Sequence, residues 1–194
     1  MVSRWEKLKN NPQTKSIGIS IFLMMITRVI DFSRPSLLWP LRILYATVNI
    51  VQIGIFLYTK IIIEKKNDLT VLKYVEPATP MSGREHSKFV ATTVRDYDLS
   101  KLLTSFKQML VTIATTLFMH LYMGYAPPLL LQSVSAARGL FDNSEVQIHV
   151  QNKPAIDELR RPFKSSGGLL GSFGQVLTDK KSVDEAELTK LKPT

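Results

Sequence analysis

Two long stretches of the chain carry no Asp, Glu, Lys or Arg: Ile43 to Thr59 and Gln108 to Ala137. A bilayer core is about 30 Å thick and an α-helix rises about 1.5 Å per residue, so a crossing helix needs about 20 apolar residues. The first stretch supplies 17 residues; with Lys60, whose stem can snorkel, and Ile61, Ile62 and Ile63 it reaches 21 before Glu64. This pattern predicts a transmembrane helix over 36–63. Gln108 to Tyr125 supplies 18 residues before Pro127 and Pro128, whose rings remove two donors and disfavour a helical Ala126. It predicts a second transmembrane helix over 101–126.

A third run, Ser16 to Thr27, has only 12 uncharged residues between Lys15 and Arg28, about 18 Å of helix. Behind the basic amino-terminal segment 1–15 it looks like the core of a secretory signal, but Thr27-Arg28-Val29-Ile30-Asp31 lacks a small-x-small cleavage site. A retained short membrane helix and turn, residues 16–35, fits better. Residues 64–100 are charged and broken by Pro77, Pro80 and Gly83, which predicts a folded or partner-ordered extramembrane loop rather than a domain with its own core, Asp98 or Ser100 opening the next helix. Across 127–150, Leu129 to Phe141 suits an interfacial helix, and the alternation Glu145 to Val150 a short extended piece. Residues 151–194 predict a basic, largely flexible tail. The fold class is therefore an all-α integral membrane protein: two transmembrane helices, one short membrane helix, an interfacial helix and a flexible basic tail.

Within these segments the polar residues fall on single faces at 100° per residue. Ser16, Ser20, Thr27 and Asp31 share one face; Arg42, Tyr45, Asn49, Gln52 and Thr59 share another; Ser105, Gln108, Thr112, Thr115 and Thr116 share a third. Ser and Thr stripes are ordinary helix-packing surfaces. Asn49, Gln52 and Gln108 are more polar than packing needs. Beside a short first helix they would leave a hydrated groove, lined by Arg28, Asp31, Arg42, Asn49, Gln52, Gln108, Thr112 and Thr115, that lowers the cost of moving a polar flank across the bilayer. An unpaired charge at that depth costs about 2.5 to 3.5 kcal/mol, so Arg28, Asp31 and Arg42 should face protein or water.

The whole chain of 194 residues has 25 Lys and Arg against 16 Asp and Glu, a net charge of +9, and is 45% hydrophobic. It has no Cys, which excludes disulfide scaffolds, zinc ribbons, iron–sulfur sites and thiol nucleophiles. His86, His120 and His149 are scattered, so no metal site and no cofactor is expected. Gly167 to Gly174 lacks the Lys-Ser or Lys-Thr ending of a phosphate loop, and no Ser/His/Asp arrangement can be argued, so no catalytic residue is assigned and the chain is not read as an enzyme. The basic excess has little aromatic interleaving. It suggests contact with membrane lipid headgroups or ribosomal RNA rather than sequence-specific nucleic-acid reading, with Arg160, Arg161 and Lys164 around Phe163 as a partner-binding stretch.

The strings Lys66-Asn67-Asp68-Leu69-Thr70, Lys73-Tyr74-Val75-Glu76-Pro77, Met81-Ser82-Gly83, Thr92-Thr93-Val94-Arg95-Asp96-Tyr97-Asp98-Leu99, Met119-His120-Leu121-Tyr122, Lys153-Pro154-Ala155 and Arg161-Pro162-Phe163-Lys164 carry a resemblance. Together, from about Thr27 to Ala186, they resemble a fungal family known both as inorganic phosphate transport proteins and as component three of the SND pathway. The resemblance implies a multi-pass endoplasmic reticulum membrane protein that targets and inserts client membrane proteins independently of the signal recognition particle. It would act as an insertase or translocon-associated subunit, with the Sec translocon, other SND components and the ribosome as partners. The alternatives are a phosphate transporter or transporter subunit, and a structural translocon adaptor. Size argues against the transporter, since three short helices without an internal repeat cannot enclose an alternating-access path unless they oligomerise. Lys60, Lys65, Lys66, Lys73, Lys101 and Lys107 favour a cytosolic loop by the positive-inside rule. The side of the tail depends on whether the first helix spans and whether Leu129 to Phe141 changes the count.

Overall fold

The computed structural model describes residues 12–29, 32, 34–76 and 88–163. In order they form α1 (Pro12–Val29), α2 (Pro35–Lys66), β1 (Val71–Glu76), β2 (Lys88–Thr93), α3 (Val94–Leu121), α4 (Pro127–Asp142), α5 (Ser144–His149) and a single 3-10 turn (Asp157–Leu159). Two helices, α2 and α3, are long and apolar enough to cross a membrane. The chain divides into two units: residues 1–54 with 107–140, and residues 55–106 with 141–194.

Helix α2 buries its polar stripe together with a few apolar neighbours and exposes its other, apolar faces, whereas α3 buries a mixed face. Along α2 the buried positions Leu41, Tyr45, Asn49, Gln52, Phe56, Thr59 and Ile63 follow a three-four spacing, so they make one face. Trp39, Ile43, Ile50, Val51, Leu57 and Tyr58 lie exposed on the others. In water that distribution would be costly, at roughly 25 cal/mol for each Å² of apolar surface left wet. In lipid it costs nothing. On α3 the buried set is Tyr97, Asp98, Leu102, Met109, Thr116 and His120, with Leu103, Leu110, Val111, Leu117 and Phe118 exposed.

In the first unit Leu41, Tyr45 and Leu129 form a small core against which Phe32 and Leu130 pack. The chain leaves α3 through a tight turn in which Tyr125 donates its N–H to the Met119 carbonyl and Gly124 takes φ +67°, a left-handed conformation that favours glycine. Pro127 and Pro128 then open α4, where missing N–H groups cost nothing.

The second unit corrects the expected loop over 64–100. After Lys66, Asn67 takes φ 42° and its N–H returns to the Ile63 carbonyl, a left-handed helix stop. Asp68 Oδ1 then accepts from the Thr70 N–H and hydroxyl, fixing the turn into β1. Strands β1 and β2 pair antiparallel from Val71 opposite Thr93 to Glu76 opposite Lys88, so the fold is not wholly α. Their Val, Tyr, Phe and Thr residues suit a pleated surface, and Tyr74 and Val75 give the segment the core it was expected to lack. Residues 77–87 lie outside the described residues.

Helix α3 begins at Val94, not at the expected position 101, and neither Asp98 nor Ser100 caps it. Thr93 does: its hydroxyl accepts the Asp96 N–H at 3.1 Å, while the Val94 and Arg95 N–H groups go to the Thr70 and Asp68 carbonyls. The expected extended piece at 145–150 is instead helix α5. Asn143 caps it by accepting from the Glu145 and Val146 N–H groups, and Glu145, Val146, Ile148 and His149 bury one helical face. Residues 151–163, the first part of the segment expected to be a largely flexible tail, pack within the second unit, and residues 164–194 lie outside the described residues.

Replacing Thr93 by Ala removes the cap and should lower stability by about 1 kcal/mol. A thermal shift in detergent measures it, and Thr93→Ser should recover most of the loss.

Candidate functional site

Asp98 sits just past the first turn of α3 with 1% of its side chain exposed. Its two oxygens accept from Arg161 Nε and Nη2, each at 2.6 Å, a bidentate charge-assisted pair across 63 residues of sequence. His149 Nε2 lies 2.9 Å from Asp98 Oδ2, so the ring donates from Nε2, and its Nδ1 is buried without a hydrogen-bond partner among the described residues. The strap carrying Arg161 is held a second way. The Phe163 N–H donates to the Tyr97 hydroxyl at 2.8 Å, and its ring tilts against Tyr97, which meets Tyr74 edge-on.

Glu145 lies beside this pair, 2% exposed, with neither oxygen hydrogen-bonded and Oε2 3.6 Å from His149 Nε2. Burial first, and the Asp98 charge second, push its carboxyl up to about 9 against the opposing pull of Arg161 and Lys101. At neutral pH it is a buried, protonated acid. The cluster borders a small cleft lined also by Lys66, Asp68 and Arg95. Asp98, Glu145 and His149 each present a ligand atom within 4.8 Å of the others, but the Arg161 guanidinium already holds both Asp98 oxygens. A divalent cation there would sit against a fixed positive charge, so the set fits an ion-paired cluster and not a metal centre.

The intramembrane residues predicted to form a groove are divided by the structure. Asn49 and Gln52 lie side by side on the buried face of α2. Asn49 Nδ2 donates to its own Tyr45 carbonyl at 2.7 Å, which turns Oδ1 away, and both Asn49 Oδ1 and Gln52 Oε1 are buried without a partner among the described residues. Arg42 Nε donates to His120 Nε2 at 3.0 Å, and its guanidinium stacks over Trp39 at 5.6 Å. Gln108 and Thr115 are exposed and Thr112 is half-buried, so the third stripe is not one buried face. Thr112 and Thr115 hydroxyls are spent on the Gln108 and Val111 carbonyls of their own helix. Arg28 is exposed, and Asp31 lies outside the described residues.

The basic stretch is divided as well. Arg161 and Phe163 face inward on Asp98 and Tyr97, Arg160 is exposed, and Lys164 lies outside the described residues.

Residues 10–192 match the family described as phosphate transport, Pho88. The chain belongs to the Pho88 family. It is 42% identical over 179 residues, 91% of its own length and 94% of the relative's, to a Saccharomyces cerevisiae protein named SRP-independent targeting protein 3. It is also 37% identical over 161 residues, 83% of the chain and 80% of the relative, to an uncharacterized protein of Schizosaccharomyces pombe. No solved structure gives a significant match. The Pho88 match covers both the polar stripe of α2 and the ion-paired cluster.

The cluster was missed in sequence because its members are 47 to 63 residues from Asp98. The signal available was Asp98 itself, an acid two residues after Asp96 in a turn that needed only one cap. Removing one partner of a buried pair leaves a bare charge, so Arg161→Met should cost about 3 to 5 kcal/mol and open 150–163 to limited proteolysis. Glu145 gives a pH signature. Between an ordinary value of 4.5 and its folded value of about 9, the folded chain keeps a proton that the unfolded chain has released, so stability falls as pH rises through that window. Glu145→Gln, neutral throughout, should gain over the parent progressively from about pH 5 to about pH 9 and flatten the thermal-unfolding profile.

Proposed function

We propose that this chain is an endoplasmic reticulum membrane protein that works in targeting membrane proteins independently of the signal recognition particle. On this reading α2 and α3 span the bilayer. The Asn49–Gln52 turn of α2 receives the polar flank of a client segment as that flank crosses. The observation that carries the reading is a pair of side-chain carbonyl oxygens, buried at the middle of a long apolar helix and bonded to nothing among the described residues. A buried unpaired acceptor costs about 1 to 3 kcal/mol. A passing water, backbone N–H or client side chain would offset that cost.

The name and 42% identity of the budding-yeast relative support the targeting role. Client membrane proteins, the Sec translocon, other components of that route and the ribosome are the partners the reading assigns, and insertase or translocon-associated subunit is the form it takes. The Pho88 family description favours a second reading, phosphate carriage.

Reconstitution in liposomes separates the two. Asn49→Leu with Gln52→Leu should leave the protein folded and reduce insertion of clients whose translocated flank is polar, while clients with short apolar flanks insert as before. Gln108→Leu, on an exposed face, should change neither. Equal loss for all clients, or phosphate flux that the double variant abolishes, would replace the targeting reading.

A further inference from the structure

We propose that α4 carries the chain back across the membrane, so that the hairpin β1–β2 and the segment Ser144–Phe163 lie on one face of the bilayer and the Tyr122–Ala126 turn on the other. The proposal rests on the reading that α3 spans. If it does, Leu121 emerges on the face opposite the hairpin, because Thr93 leads directly into Val94. Yet the chain after α4 is bonded to the start of α3 at four places. Asn143 Nδ2 donates to Ser105 Oγ at 3.2 Å, His149 and Arg161 meet Asp98, and the Phe163 N–H meets the Tyr97 hydroxyl.

Only residues 122–142 can make the return. The turn cannot cover the distance: Tyr122 and Tyr125 donate their N–H groups to Phe118 and Met119, which keeps it folded onto the end of α3. That leaves α4, with 16 residues, or about 24 Å of rise. The stretch of α3 from Leu121 back to Ser105 rises by the same amount. An interfacial helix lying flat on the far face would leave Asn143 a membrane's thickness from Ser105.

The composition of α4 agrees with a crossing. Leu129, Ser133, Ala136 and Leu140 are its buried face, and Ser133 and Ala136 are small enough for close helix contact. The Ser133 hydroxyl is satisfied by the Leu129 carbonyl. Arg138 lies one turn from the end, within snorkelling reach of the hairpin's face. At about 24 Å against about 30 Å of hydrocarbon, the helix requires a locally thinned bilayer. Exposed Tyr122 and Tyr125 lie at the depth of a headgroup belt. The hairpin's face also carries exposed Lys65, Lys66 and Arg160, which makes it the cytosolic one.

Single cysteines test this in the full chain, which has none of its own. Leu69→Cys, Met123→Cys and Gln151→Cys all sit at exposed positions. In sealed microsomes with the cytosolic face outward, a membrane-impermeant maleimide should label positions 69 and 151, and position 123 should label only after permeabilisation. Protection of 151 while 69 labels would overturn the return crossing. Labelling of 123 together with 69 in sealed vesicles would overturn the spanning of α3, and with it the reading beneath the proposal. Labelling of 123 with protection of 69 and 151 would keep the return crossing and overturn the cytosolic assignment.

Discussion

The second unit depends on what a carboxylate needs when 1% of it is exposed. Removing a charge from water costs several kcal/mol even after relaxation, and only good geometry with further hydrogen bonds repays it. Asp98 meets both conditions: a bidentate guanidinium, with an imidazole on the second oxygen. The consequence reaches beyond the pair. For Arg161 to sit at Asp98, the strap after α5 must fold back on the start of α3, and that brings Pro162 into burial and Phe163 onto Tyr97. Tyr97 in turn packs against Tyr74 of β1. One ion pair thus ties the hairpin, the start of α3, α5 and the strap into one body, with Glu145 enclosed among them as a neutral acid.

On the reading that the long helices span a bilayer, a different constraint acts on them. In lipid a backbone or side-chain donor without a partner has no water to turn to. Most polar side chains here solve this locally: Thr59, Thr104, Thr112, Thr115 and Ser133 all bond the carbonyl one turn back on their own helix. Arg42 is answered by His120 and Trp39. Once these are set aside, the predicted polar residues left with a buried, unpaired side-chain oxygen among the described residues are Asn49 and Gln52, neighbours on one turn of α2.

What sequence could show follows from the range of the forces involved. Hydropathy over a bilayer's thickness located α2 within a few residues at each end. It placed the start of α3 late, because Val94 to Ser100 is a polar stretch outside the hydrophobic run and its cap is a strand residue, Thr93. The hairpin was hidden by its long connection, 77–87, with two prolines and a glycine. Alternation over Glu145 to Val150 is too short to separate a strand from a helix, and the Asn143 cap settles it. The family resemblance was legible from short strings, whereas the Asp98 cluster was not. Charged residues scattered over 63 positions look like separate solvated groups until folding brings them together.

The two polar features therefore differ in kind. Around Asp98 the carboxylate and the Arg161 guanidinium answer each other and Glu145 meets its burial by keeping its proton, although Arg95 Nε and His149 Nδ1 are buried without a partner among the described residues. That is the chemistry of a fastening. Asn49 is held by its bond to the Tyr45 carbonyl, yet its side-chain oxygen and that of Gln52 have no partner among the described residues at the centre of an apolar helix. A leucine at either position would remove the penalty, since removing both sides of a polar contact is nearly neutral. Retaining an acceptor there costs stability, and on the proposed reading a transient polar visitor offsets that cost.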